Sequence, residues 1–258
     1  MTTGAMSFRA VVAAELIKIR TVRATYWTLL LTPVVSAGLG YLIGLSANSA
    51  MSAGRRLGPF DPGFITFYGI LLGQIPLVVF MVLLVGGEYS SGTINASLAA
   101  VPRRGLFYGG KIAAVALVAF PVSLVTTAAI FVSAQIGLGP HHVTLATDGM
   151  ARAAVGACLY LTLIGLLAAG VTATLRSSVI SLGVLLPLLF LGSQGLGNAP
   201  GINVVAQYLP DQAGSLIIYT LPLTGNFARS YGAWTGVAIL AAWAAAALVA
   251  GLVATRRR

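Results

Sequence analysis

The chain has 258 residues, of which 58% are hydrophobic and only 8% charged, and its formal net charge is +10. A soluble domain usually needs about 25% charged residues to cover its surface. The composition therefore predicts an integral membrane protein and excludes a separate soluble domain. The basic residues stand in small groups at the ends of apolar runs, without a basic stripe among aromatics, which argues against a nucleic-acid partner.

Six apolar runs are long enough to cross a bilayer, which takes about 20 residues of helix. The fifth run is short and ends in glycine. The runs lie at residues 25–45, 64–85, 112–136, 153–175, 179–195 and 234–254. We therefore expect an all-α, polytopic membrane protein with six transmembrane helices, forming a single domain over residues 1–258.

The distribution of lysine and arginine predicts the orientation of these spans, because basic residues concentrate in cytoplasmic loops. With both termini inside, eleven of the fifteen basic residues are cytoplasmic and four are outside. The outer set is Arg55, Arg56, Arg152 and Arg229, and its first two members are the exceptions to the rule.

Two segments outside the spans also have helical character. Residues 5–23 are too polar to span, but apolar side chains recur in them at helical spacing, as in a helix lying in the membrane interface. Glu15 interrupts that apolar stripe. Residues 196–233 form the longest outer loop, and its apolar pieces at 202–208 and 214–221 predict short re-entrant helices.

The loop at residues 88–104 is the most informative cytoplasmic segment. Ser90 or Ser91 can cap a short helix in which Ile94, Leu98 and Val101 share one face, and Pro102 then ends it. Such a face suits a groove on a partner protein. It suits a layer of lipid headgroups equally well.

This loop resembles the signature of the ABC-2 type permease family, the membrane subunits of ATP-driven transporters. Arg103 stands where many members have a small polar residue. The matching residues are Glu88, Gly92, Thr93, Ile94, Leu98, Pro102, Arg104 and Lys111. The segment from Glu15 to Thr21, followed by Tyr26 and Trp27, is similar to the family's connecting helix.

The resemblance implies a permease subunit of an ABC exporter in a bacterial plasma membrane, with both termini cytoplasmic. The loop would be the coupling helix that docks on a separate cytoplasmic ATPase subunit, which holds the ATP and Mg²⁺. The implied docking residues are Glu88, Ser91, Gly92, Thr93, Ile94, Leu98, Pro102, Arg103, Arg104 and Lys111. A second permease copy, identical or paralogous, would complete the transporter.

The resemblance also implies a transport path along the second and fifth spans, near Gln74, Pro76, Pro187 and Gln194. An apolar path suits a lipid, a hydrophobic drug or a peptide. No cofactor, metal or catalytic residue is expected in this chain. Residues 105–112 imitate a phosphate-binding loop, but Ile112 stands where a Mg²⁺-binding hydroxyl is required.

Two alternatives remain at this level. An ion-coupled secondary transporter generally needs ionisable groups near the bilayer midplane, and all five acidic residues lie outside the span centres. A non-transporting immunity or scaffold protein would have the same sequence features as a permease.

Overall fold

The structure is a computed structural model that describes residues 7–21, 23–54, 60–101, 103–193 and 203–257. These residues form helices and connecting turns, without a strand among them. The α-helices are α1 Phe8–Thr21, α2 Arg23–Ser52, α3 Pro62–Phe67, α4 Ile70–Ser90, α5 Thr93–Ala100, α6 Arg104–Leu138, α7 Met150–Leu175, α8 Ser178–Ser193, α9 Asn203–Ala206, α10 Pro210–Ser215 and α11 Ala233–Arg256.

Five of the helical segments within the described ranges are long and apolar enough to cross a membrane. They are Trp27–Ser52, Pro62–Ser90, Arg104–His141, Met150–Leu175 and Ala233–Arg256. Four of them contain one predicted span each and extend beyond it, and Trp27–Ser52 overlaps the first predicted span from residue 27 onward. The fifth predicted span corresponds to α8, whose 16 residues make it shorter than the others, and residues 194–195 lie outside the described part.

Two sets of hydrogen bonds between polar groups identify the two ends of the helical bundle. At the first end, Arg104 on α6 donates from Nη1 to the Arg256 carbonyl of α11 at 3.0 Å, and Arg176 after α7 donates to the Ala254 carbonyl. At the second end, Asp61 and Arg152 bond to the loop that precedes α11. Arg104, Arg176 and Arg256, which the sequence assigns to the cytoplasmic side, therefore lie at the first end. Arg152, which it assigns to the outer side, lies at the second end.

Glycines allow a close contact between α2 and α6. A Cβ atom on Gly40 would lie 2.7 Å from Ile130 Cγ1, and one on Gly44 would lie 2.5 Å from the Ala134 carbonyl oxygen. The two backbones approach this closely only because both positions lack a side chain. Gly38 on the same helix has no atom within 4 Å of its Cβ position.

The loop between α8 and α11 packs into the second end of the bundle. Its α10 lies against α7 and α11, where a Cβ on Gly214 would be 2.5 Å from Leu240 and 2.8 Å from the Tyr160 ring. Ile217 and Ile218, in the following 3-10 helix, are fully buried. The expected short helices are present: α9 lies within the apolar piece at 202–208, and the piece at 214–221 holds the end of α10 and the 3-10 helix Leu216–Ile218.

Candidate functional site

Four charged side chains meet at the first end of the bundle and join three helices. Lys111 of α6 donates to Glu15 Oε2 of α1 at 2.9 Å and lies 2.8 Å from Glu88 Oε1 of α4. Lys18, one turn after Glu15, donates to Glu15 Oε1 at 2.7 Å and to Glu88 Oε1 at 2.8 Å. We call these four residues the charge cluster.

The charge cluster is neutral and largely removed from water. It holds both lysines of the chain and two of its five acids, so its formal charges cancel. Glu15 and Lys111 are each 4% exposed and Glu88 is 9% exposed. Removing one partner from such a group leaves an uncompensated buried charge, which is strongly destabilising. The cluster therefore holds α1, α4 and α6 in one relative position.

The cluster shifts the ionisation of two of its members. Burial by itself raises the pKa of Glu15, but the nearby ammonium groups of Lys111 and Lys18 outweigh it and lower this pKa below 4.5. Burial similarly lowers the pKa of Lys18, but hydrogen bonds to Glu15 and Glu88 outweigh it and raise this pKa above 10.5. Both side chains are therefore charged throughout the physiological range.

The short helix α5 packs beside the charge cluster. Ile94 of α5 and Val101 at its end are buried with Val11 of α1 and Phe107 of α6. The Lys111 ammonium lies 5.4 Å from the centre of the Phe107 ring, so this apolar group borders the charged one. We call these four apolar residues the loop cluster.

The packing of the loop cluster contradicts the prediction for the apolar face of α5. That face was expected to meet a partner's groove or lipid headgroups, but Ile94 and Val101 pack against this chain's own α1 and α6. The physical reason is that α6 begins immediately after the loop and α1 folds back onto it, which offers an apolar surface within the same chain. Capping by serine is also wrong, because Gly92, at φ +71°, precedes the helix without a side-chain cap bond.

The remaining loop residues lie on the outer surface. Ser91, Gly92, Thr93 and Arg103 are exposed, and the Ser91 and Thr93 hydroxyls are 2.9 Å apart. Arg104 is half-buried by its bond to α11. Pro102 and the side chain of Leu98 lie outside the described part of the structure. The predicted docking residues thus divide into a buried set around Glu88, Ile94 and Lys111 and an exposed set.

Three of the four predicted path residues lie in the described part of the structure. Gln74 is 1% exposed and belongs to the interior, where it donates to the Leu71 carbonyl and accepts from the Tyr160 hydroxyl at 2.7 Å. Pro76 lies within α4, and Pro187 is exposed on α8. Gln194 is outside the described residues. In this conformation Gln74 faces protein and does not line an open path.

Asp211 of α10 is a buried acid that the sequence pattern does not reveal. It is fully buried, and its Oδ1 atom has no hydrogen-bond partner among the described residues. Burial raises the pKa of Asp211 to about 6. Asp211 lies outside the candidate spans, as the sequence predicts, and the packing of α10 against α7 and α11 buries it.

Lys111, His141 and His142 each bond to other groups of this chain. Residues 105–112 form the first turns of α6, and the Lys111 ammonium is occupied by two carboxylates instead of a phosphate. His141 bonds to Asn48 Oδ1 and His142 to the Gly139 carbonyl, each at 3.0 Å on the exposed surface. Within the described ranges, no three potential metal-binding side chains come together.

Comparison with known proteins leaves the family open. No protein-family model matches the chain, and none of the curated proteins compared with it matches its sequence. Membership of the ABC-2 type permease family therefore remains a prediction from the loop and connecting-helix residues.

Proposed function

We propose that this chain is the membrane permease subunit of an ATP-driven ABC exporter of the ABC-2 type. A separate ATPase subunit docks on residues 88–104, and a second permease copy completes the transporter. One observation carries the proposal. The short helix α5 packs on α1 and α6 through Ile94 and Val101, and the charge cluster joins those two helices to α4.

The two clusters would act as the mechanical link between ATPase and membrane. A push on α5 reaches α1 and α6 through Ile94 and Val101, which are packed against Val11 and Phe107. A push on the end of α4 reaches the same helices through Glu88. Because buried ion pairs and packed apolar groups do not deform continuously, the helices respond as bodies.

The docking surface would be the exposed side of this region. Ser91, Thr93, Ala96, Ala99 and Arg103 are exposed on or beside α5, whereas Ile94 faces inward. These exposed residues give the ATPase a small surface that combines two hydroxyl groups, two alanine methyl groups and the Arg103 guanidinium. The buried set gives the surface its rigid support.

In the proposed topology the first end of the bundle is cytoplasmic and α8 is the fifth of six spans. The 16 residues of α8 span about 24 Å, and residues 194–195 of the predicted span follow it. Both termini are then cytoplasmic in a bacterial plasma membrane. ATP and Mg²⁺ bind the partner subunit, and the exported substrate is a lipid, a hydrophobic drug or a peptide.

Co-expression with a cognate ABC ATPase tests the docking assignment. The tagged chain should retain that ATPase through purification, and the chain by itself should bind no ATP. Ala96→Glu or Ala99→Glu should lower the retained ATPase by about tenfold, since a charge is added within the contact. Ala146→Glu, exposed at the second end, is the matched control. Equal retention in all three variants would remove the docking assignment.

A second candidate, ion-coupled transport, has one observation in its favour. Asp211 is a buried acid, and one of its carboxylate oxygens has no hydrogen-bond partner among the described residues. Such a group can bind a proton in a carrier. Liposomes containing this chain alone would then take up protons under an imposed potential, and Asp211→Asn would abolish the uptake. Absence of uptake in the unmodified protein would remove this candidate.

A further inference from the structure

A cationic cleft opens at the second end of the bundle, far from the charge cluster. Its volume is about 240 Å³, and it lies where α7 and α11 begin. Two arginines, Arg152 and Arg229, and two tyrosines, Tyr219 and Tyr231, line it together with apolar loop residues. None of its lining residues is acidic.

Arg152 is held in place by a neutral group. It lies in the first turn of α7, is half-buried, and donates from Nη2 to the Tyr219 carbonyl at 2.6 Å. Its Nε atom is shielded and has no partner in the described part of the chain. No ion pair joins Arg152 to a carboxylate of the described residues.

The positive potential of the cleft has further sources. Arg229 is positioned by a 3.0 Å bond from its Nη2 atom to Gln212 Oε1. The amino-terminal turn of α7 adds the positive end of the helix dipole. Burial raises the pKa of Tyr219 to about 12, so its hydroxyl stays a neutral donor.

Neither Asp61 nor Asp211 lines the cleft. Asp61 accepts bonds from the backbone amides of Phe64, Thr220 and Leu221 and from the Thr220 hydroxyl. These bonds fix the loop wall and occupy both carboxylate oxygens. Asp211 is buried beneath the cleft beside Gln212 and does not line it.

We propose that this cleft binds a phosphate oxyanion, held between the Arg152 and Arg229 guanidinium groups. Arginine suits this ligand because its planar donor fork matches two phosphate oxygens. The oxyanion can come from a lipid headgroup or from free phosphate. The chemistry does not depend on transport, and only its assignment to the outer leaflet rests on the proposed topology.

The surroundings favour the lipid source. A second cavity of about 180 Å³ shares Tyr219 and Arg229 with the cleft and is lined on its far side by Phe64, Tyr68 and Phe227. Trp234, next to the cleft residue Ala233, is 53% exposed. Aromatic side chains at the start of spans typically lie at headgroup depth, which is also where a lipid phosphate lies.

Native mass spectrometry of the full chain in an uncharged detergent tests the proposal. Three probes separate the sources: dioctanoyl phosphatidylglycerol, dioctanoylglycerol with the same chains but no phosphate, and inorganic phosphate. We expect the phosphatidylglycerol adduct to persist and its Kd to rise by about tenfold in Arg152→Gln and in Arg229→Gln. Arg152→Lys, which keeps the charge, should recover part of the affinity.

Arg257→Gln removes the same charge from the exposed first end and is the matched control, expected to bind like the unmodified chain. Quenching of Trp234 fluorescence gives a second readout in the same variants. Binding of inorganic phosphate alone, lost in both cleft variants, would support the site and assign it to the free ion. Equal binding of dioctanoylglycerol, or unchanged phosphatidylglycerol binding in both cleft variants, would overturn the proposal.

Discussion

Lys111 is the residue on which the charge cluster depends most, because it contacts both carboxylates and is nearly closed to solvent. It pairs with Glu15 and Glu88 at 2.9 and 2.8 Å, while Lys18 bonds to the same two residues from a more exposed position. A membrane protein accepts a buried lysine only with such compensation. The stability of this region should therefore respond to changes at this single position.

Lys111→Met should destabilise the protein by about 3–5 kcal/mol, because it leaves two buried carboxylates with one cation. Denaturant unfolding in mixed micelles measures the loss. Arg9→Met, which removes an exposed cation from α1, is the control and should change little.

Adding Glu88→Gln to Lys111→Met restores a neutral pair of Glu15 and Lys18. The double variant should therefore lose less stability than the two single losses added together. Additive losses would contradict the charge cluster as a coupled unit.

The shifted pKa of Glu15 predicts how stability depends on pH. Since this pKa is lower in the folded protein, the contribution is present above the unfolded value near 4.5 and is lost as pH falls through the folded pKa. Lys18, with a raised pKa, contributes fully below 10.5 and loses its contribution as pH rises through its folded pKa. Thermal unfolding across this range should show a plateau, and Glu15→Gln should flatten its acid limb. An acid limb unaffected by Glu15→Gln would contradict this origin.

Among the elements, the contact between α2 and α6 depends on glycine. A methyl group on Gly44 would fall 2.5 Å from the Ala134 carbonyl oxygen and 3.1 Å from the Leu138 nitrogen, which are backbone atoms that cannot rotate away. Gly137 of α6 meets α2 in the same manner. Gly40 and Gly44 therefore form a packing face of α2 against α6.

Gly44→Ala should lower the free energy of unfolding by about 1–3 kcal/mol, the typical cost of overpacking. Gly38→Ala is the matched control on the same helix, because its Cβ would meet no atom within 4 Å. It should be neutral or slightly stabilising, since alanine favours the helix. Unfolding in mixed micelles compares the two, and equal effects would show that the contact is looser than described.

Around the site, the sequence predicted which helices are present better than it predicted which face of each helix is buried. The short helix in residues 88–104 is present as α5, and Pro62–Ser90 and Arg104–His141 contain the predicted spans. The side that α5 turns inward could not be predicted, because lipid, a partner and α6 are equally apolar neighbours for Ile94. In α1, the polar interruption at Glu15 was the signal for a buried ion pair, but its buried partner, Lys111, is 96 positions away (111 − 15).

At the scale of the whole molecule, the two polar ends of the bundle make the proposed topology measurable. The chain has one cysteine, Cys158, which is buried. In a Cys158→Ala background, Ala96→Cys at the first end and Ala146→Cys at the second are both exposed positions. A membrane-impermeant thiol reagent added to intact cells should label only Ala146→Cys. Labelling of Ala96→Cys from outside would reverse the topology.

Composition and apolar run length determined that this chain belongs in a membrane, where its main helices lie and which basic groups share an end. These properties are local, because the bilayer sets one length and one polarity for every span. Only the tertiary structure decided that Glu15, Lys18, Glu88 and Lys111 meet, that Asp211 is buried and that Arg152 and Arg229 share a cleft. Those meetings depend on how helices distant in sequence pack against one another, and similar apolar surfaces do not specify that packing in advance.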